Sequence, residues 1–277
     1  NIVAIHEVGE REGQPYFSMD FVEGRTLAEI VREGPLPAQR AATYLKAIAE
    51  AVHYAHQQGI LHRDLKPSNV LIDATDQPRI TDFGLAKRLD DAQLSTTHHQ
   101  LTLTGQVLGS PNYLSPEQAA GRQAEVGTTS DVYALGAMLY HLVTGRPPFQ
   151  ADSLTTLLGQ VMEAEPVSPR LLNASIPRDL ETICLKCLEK EPSRRYASAQ
   201  SVADELGRFL EKKPILARPV SRPEKVWRWC RRKPALATAL GAVVLVAAVG
   251  FVGIVSQWRR AVASELFARQ NAYASDM

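Results

Sequence analysis

His62-Arg63-Asp64-Leu65-Lys66-Pro67-Ser68-Asn69 is the stretch on which the reading of this chain turns. It follows a segment with helical spacing and runs into the apolar Val70-Leu71-Ile72, so it is expected as a loop between a helix and a strand. Thirteen positions beyond Asn69 stands Asp82-Phe83-Gly84; Ser115-Pro116-Glu117 comes next, and Asp131-Val132-Tyr133-Ala134-Leu135-Gly136 opens a further helix. Any one of these motifs occurs by chance. Four in this order, on the elements they need, form a specific signal.

Working outward, the spacing of apolar residues sets the organisation. Ile2-Val3-Ala4-Ile5 and Tyr16-Phe17-Ser18-Met19 read as two strands of a hairpin. Leu45, Ile48, Ala49, Val52 and Ala55 fall on one face of a long helix between Pro37 and Gly59. Arg79-Ile80-Thr81 is a second short strand after Val70-Leu71-Ile72, and Leu89 to Gly109, rich in Ser, Thr, His and Gln, is expected to be a long mobile loop. A helix is expected from Asp131 to Thr144 with Ser130 as its N-cap and Gly145 as its stop. More helical segments are expected around 152–163, 178–190 and 198–211.

At these residues the sequence resembles the eukaryotic-type protein Ser/Thr kinases, over roughly residues 1–211. The resemblance implies an α+β, protein-kinase-like fold: a mostly helical large lobe (23–211) with a remnant of the small-lobe sheet and hinge (1–22). It implies ATP and Mg²⁺, with Mn²⁺ as a substitute, and protein substrates bearing Ser or Thr. Phosphoryl transfer needs metal, positioning and a proton acceptor more than covalent chemistry. Asp64 matches the acceptor for the substrate hydroxyl, and Lys66 the cation that neutralises γ-phosphate charge. Asn69 and Asp82 match the metal ligands, being hard oxygen donors of the type Mg²⁺ prefers. Met19-Asp20-Phe21-Val22 resembles the segment joining the lobes, with Met19 as gatekeeper, backbone groups of Asp20 and Val22 for adenine, and Leu71 as the floor beneath the base. Asp131 resembles the buried helix-start aspartate that holds the His62-Arg63-Asp64 backbone, and Glu117 the partner of an arginine, best matched by Arg195. Lys66 and Gly109-Ser110-Pro111 fit the Ser/Thr rather than the tyrosine pattern, with Ser110 keeping the hydroxyl expected against Asp64 and Lys66. Thr102 and Thr104 fall where bacterial relatives carry activating phosphothreonines, which Arg63 is placed to pair with.

The glycine-rich loop, the strand lysine and the helix glutamate of a complete kinase are absent from this sequence. Val3-Ala4-Ile5-His6 does not stand in for the lysine strand, because too few residues separate it from the helix around Ala28. Together with Asn1 as first residue and no signal-peptide pattern, this suggests a chain cut within the small lobe and inactive alone.

The composition, with 45% apolar and 22% charged among 277 residues, excludes collagen-like, low-complexity and wholly disordered classes. A net charge of +1 gives no global field for nucleic acid. Three cysteines are too few for a disulfide framework. Cys184 and Cys187 read as helix cysteines, His98-His99 as loop residues, and Cys230 as a plain residue beside an apolar run. That run, Pro234 to Gln257, has no ionisable side chain. Its 22 residues from Ala235 to Ser256 would span about 33 Å as a helix, enough to cross a bilayer. Trp227, Trp229 and Trp258 flank it. The reading is therefore a Pro-rich basic linker (212–233), a transmembrane helix (234–257) and the start of an extracytoplasmic region (258–277). Arg222 to Lys233 hold six Lys or Arg, which places the kinase part in the cytoplasm of a single-pass inner-membrane protein. The lipid bilayer, protein substrates and a second copy for trans-autophosphorylation are the expected partners; nucleic acid is not. Two other classes fit the residues: a membrane-tethered pseudokinase, against which intact Asp64, Asn69 and Asp82 argue, and a small-molecule phosphotransferase, against which Lys66 and the Gly109–Glu117 segment argue.

Overall fold

The computed structural model describes residues 1–11, 14–83 and 111–217, all within the first of two compact units, Asn1–Pro219. Gly84, the 89–109 loop, Thr102, Thr104, Ser110, Cys230, and the expected transmembrane (234–257) and extracytoplasmic (258–277) segments lie outside the described residues, as does the linker beyond Ala217. Among the described residues no helix is long and apolar enough to cross a membrane.

Two strands, β1 (Ile5–Arg11) and β2 (Gln14–Met19), form an antiparallel hairpin. β1 begins later than the apolar run Ile2–Ile5 suggests. The first residues lie instead along a strand from the next sheet: Ile2 bridges Ile80, Val3 N–H donates to Ile80 O at 2.9 Å, and Ile80 N–H donates to Asn1 O at 2.8 Å. That sheet is β3 (Gly24–Thr26), β4 (Val70–Asp73) and β5 (Pro78–Ile80), antiparallel throughout.

Helices build the remainder. Thr26 caps α1 (Leu27–Arg32) with a capping box. α2 (Ala38–Gln57) buries Leu45, Ile48, Ala49 and Val52 along one stripe, and its chain turns away at Gly59, φ +72°. A short α3 (Pro116–Ala119) precedes α4 (Thr128–Thr144), which is buried on nearly every face and ends at the left-handed Gly145, φ +78°. Ser130 is not its N-cap. The helix starts two residues earlier, and Ser130 Oγ accepts from Gly127 N–H (3.2 Å) while donating to Glu117 Oε1 (2.6 Å). Around α4 pack α6 (Pro169–Leu172), α7 (Arg178–Cys187) and α8 (Ala199–Leu210), whereas α5 (Leu154–Glu163) lies against α3 and buries Leu157 and Val161 with Phe149 in a separate small cluster. Cys184 and Cys187 are buried on α7, and burial pushes both thiols up, Cys187 to about 12, so they are inert at neutral pH. After α8 the chain is tied back: Leu216 and Ala217 N–H donate to the two oxygens of buried Glu205 at 2.7 and 2.8 Å, and Ile215 enters the core.

Candidate active site

The loop between α2 and β4 carries the chemistry. Pro67 opens a single 3-10 turn, Pro67–Asn69, that delivers Asn69 to the head of β4. Asn69 is buried and its Nδ2 donates to Asp64 O (2.9 Å) and Asp64 Oδ2 (3.2 Å). Lys66 Nζ donates to the same Oδ2 at 2.6 Å. The structure thus gathers Asp64, Lys66 and Asn69 around one carboxylate, whose side chain is 52% exposed and whose Oδ1 takes no bond from a described residue.

Asp131, at the start of α4, anchors this loop from below. Its carboxylate accepts from His62 N–H and Arg63 N–H, each at 2.9 Å, and from His56 Nε2 at 2.7 Å. Gln118 Nε2 adds a bond to Arg63 O at 2.8 Å. These contacts hold Arg63 at φ +68°, a left-handed conformation that costs a non-glycine residue about 1–3 kcal/mol. Buried His62 donates through Nε2 to Thr81 O at 3.1 Å and packs against the Phe83 ring at 4.5 Å. Burial lowers the His62 pKa from its ordinary 6.5, keeping the ring neutral near pH 7. Thr81 N–H in turn donates to Asn69 O at 2.9 Å. Asp82, at φ +62°, is therefore delivered beside the loop by a neighbour bonded to both His62 and Asn69.

The residues fit a hard cation and a nucleotide. Nδ2 of Asn69 is committed to Asp64, so its Oδ1 is turned away with only a long contact from Ser68 Oγ, at 3.5 Å. With the exposed Asp82 carboxylate it offers two oxygen donors. A cavity of about 360 Å³ is lined by Ile2, Ile5, Met19, Ile80, Asp82 and Phe83, among others. Beyond Met19, Asp20 N–H donates to Ala4 O at 3.0 Å, whereas Asp20 O and Val22 N–H are engaged by no described residue. Leu71 stands on β4 opposite Thr26 and Arg79, outside the cavity lining.

Glu117 and Arg195 meet in a buried bidentate pair, Nη1 to Oε1 and Nη2 to Oε2, each 2.8 Å. Burial presses the Glu117 carboxyl upward, but the Arg195 and Ser130 hydrogen bonds outweigh it and hold it down at about 2. His56 and Gln118 escaped the sequence reading. His56 stands one turn before Gly59, where a helix end meets the loop, and Gln118 completes a Ser115-x-x-Gln118 capping box, which is a readable signal.

A helical body on a short sheet thus carries a loop aspartate flanked by a lysine, an asparagine and a second aspartate. In comparison with known proteins, the profile of the protein kinase domain matches residues 1–206, and the chain belongs to that family. It is 38% identical over 219 residues to the serine/threonine-protein kinase PknB of Mycobacterium leprae, covering 77% of this chain and 34% of that protein. It is 43% identical over 203 residues to the serine/threonine-protein kinase PrkC of Bacillus subtilis, covering 73% and 30%. The chain thus spans about a third of the length of these curated relatives. Among solved structures, Rad53 1-466 in complex with AMP-PNP superposes with a TM-score of 0.60 at 25% identity, over 74% of this chain and 49% of that one.

Proposed function

We propose that residues 1–217 belong to an ATP- and Mg²⁺-dependent protein Ser/Thr kinase that transfers the γ-phosphate to serine or threonine hydroxyls. The observation that carries this is the Asp64 carboxylate, half open to solvent and gripped on one oxygen by Lys66 and Asn69. Its free oxygen accepts the proton of the substrate hydroxyl. Lys66 balances charge on the transferred group, and Asn69 and Asp82 hold the metal. Asp20 O and Val22 N–H bind the adenine edge beside Met19. The nucleotide supplies the phosphoryl group, and the metal offsets the charge that develops during transfer. The nucleotide analogue in the Rad53 structure and the kinase names of the bacterial relatives support this reading.

Arg63, whose Nε is buried without a described partner, pairs in this reading with phosphate on Thr102 or Thr104, and Ser110 contacts Asp64 and Lys66. Asp131 and the Glu117–Arg195 pair are framework. The uncharged run 234–257, flanked by tryptophans and by the basic residues 222–233, supports a single transmembrane helix with the kinase part cytoplasmic. Neighbouring copies on the bilayer are then placed for phosphorylation in trans. In the complete gene product, Asp64→Asn should lower turnover on a serine peptide by at least about a hundredfold with ATP affinity nearly unchanged. Asp82→Asn should weaken Mg²⁺-dependent nucleotide binding. Near-normal transfer by Asp64→Asn would refute the assignment. Residues 1–277 contain no glycine-rich loop or strand lysine and are expected to be inert alone.

A further inference from the structure

The β1–β2 hairpin contains an irregularity beside the site. Arg11 to Glu7 pair in step with Gln14 to Ser18, but Ile5 faces Met19, so His6 is an extra residue without a partner across the ladder. A bulge of this kind bends its strand and re-aims the side chain it carries. Here the imidazole is aimed at the first residue beyond β2: His6 Nε2 lies 2.6 Å from Asp20 Oδ1. The neighbouring acid, Glu7, is occupied on its own strand pair, accepting from Tyr16 Oη at 3.0 Å. Asp20 is held a second time, through its N–H to Ala4 O at 3.0 Å. Two residues of the segment leading through β1, one on each side of Ile5, therefore grip Asp20 by side chain and by backbone. Its carbonyl, next to Met19, is engaged by no described residue, and Met19 lines the cavity shared with Asp82.

We propose that His6 is a positioning residue for base recognition: from the bulge it fixes the Asp20 peptide, so that the Asp20 carbonyl is presented to the exocyclic amino group of a 6-aminopurine nucleotide. The proposal rests on the kinase reading above and adds to it a residue that selects the base. The physical advantage is preorganisation. An acceptor already held in place loses little freedom when its donor arrives, so the hydrogen bond contributes more of its strength to discrimination. Both partners of the His6–Asp20 pair are more than half exposed, and such pairs contribute little to folding stability. Its effect should therefore appear in ligand selectivity rather than in melting temperature.

The test compares two ligands on the complete gene product. One is ATP; the other is purine riboside 5′-triphosphate, which lacks only the 6-amino group. The wild type should prefer ATP. His6→Ala should weaken ATP by roughly two- to five-fold, the scale of an exposed side-chain pair, and leave the 6-unsubstituted analogue unchanged. His6→Gln, which retains a side-chain donor, should recover most of the lost ATP affinity, and both variants should melt with the wild type. Equal weakening of both ligands, or no change in either, would overturn the role of His6 while leaving the nucleotide site intact. A wild type that binds both ligands equally would overturn the reading of Asp20 itself, and the proposal with it.

Discussion

Asp131 and Asp64 serve the same loop from opposite sides, and their surroundings differ in every respect that matters. Asp131 is 1% exposed, and its two oxygens take three hydrogen bonds, from His56, His62 and Arg63. Asp64 is half exposed, takes both of its side-chain bonds from described residues on one oxygen, and is bonded by none of them on the other. The first carboxylate has spent its capacity on structure; the second holds capacity in reserve. A saturated anion cannot accept a proton from a substrate without breaking its own framework. An anion half bonded can. The same division separates the helical body from the loop it carries: the charged groups packed at the start of α4, Asp131 and the Glu117–Arg195 pair, are fully bonded, whereas Arg63 and Asp82 are held in left-handed conformations by neighbours.

The sharpest way to test this contrast is at Arg195. Its guanidinium is fully buried and grips Glu117 through two bonds. Arg195→Met leaves a buried carboxylate uncompensated and should cost roughly 3–5 kcal/mol. Asp64→Asn, on the open side of the comparison, should cost less than about 1 kcal/mol. Equal losses in urea unfolding of the two variants would erase the distinction. The pH dependence supplies a second arm. Glu117 falls in the fold from its ordinary 4.5 to about 2, so it contributes stability that is complete above pH 4.5 and is lost as pH drops towards 2. His62, lowered from 6.5 by burial, acts in the same direction: below pH 6.5 the unfolded chain takes up a proton that the folded ring resists. Stability should decline in two stages on acidification, and the lower one should be smaller in Arg195→Met but not absent, because the hydrogen-bonded Asp73 and Asp76 carboxylates are also held below their ordinary values.

A smaller effect is expected where α4 crosses α7. A Cβ at Gly136 would overlap the Cβ of Cys187, so the two helices must separate to admit it. Gly136→Ala should cost about 1–3 kcal/mol by overpacking, with Asp64 geometry preserved because Asp131 lies more than a turn away. A wild-type melting temperature for this variant would show that the body is looser than its burial indicates.

The body was largely legible before its structure, since helical apolar spacing and glycine stops are local signals: α2 and the end of α4 at Gly145 follow them closely. Other features depend on contacts distant in sequence. Ser130 looks like a helix cap, but Glu117, thirteen positions back, engages its hydroxyl. The apolar run Ile2–Ile5 looks like one strand, yet part of it pairs with Ile80. Within the site, residue types at motif spacing were readable, because Asp, Lys and Asn in that order leave few chemical alternatives. The bulge that turns His6 was not, since a single unpaired residue leaves the alternation around it undisturbed. Nor was His56, whose role exists only because Asp131 lies beside it in space.

The smallest effect is expected at the junction between hinge and body. Thr26 ends β3, where it pairs with Leu71, and starts α1. Its Oγ1 accepts from Glu29 N–H at 3.1 Å, and Glu29 Oε2 accepts from Thr26 N–H at 2.8 Å. α1 has only 6 residues, too few to persist on propensity alone, so the cap and the burial of Leu27 and Val31 must hold it. Thr26→Ala removes one acceptor from the first turn and should cost about 1 kcal/mol. Thr26→Ser, which keeps the oxygen, should recover most of it. Amide exchange locates the effect: the Glu29 amide should exchange faster in Thr26→Ala, while amides in the middle of α4 change only as far as global stability does. If the Glu29 amide kept its protection in Thr26→Ala, α1 would be held by packing alone, and the junction would belong to the body rather than to the loop side of the comparison.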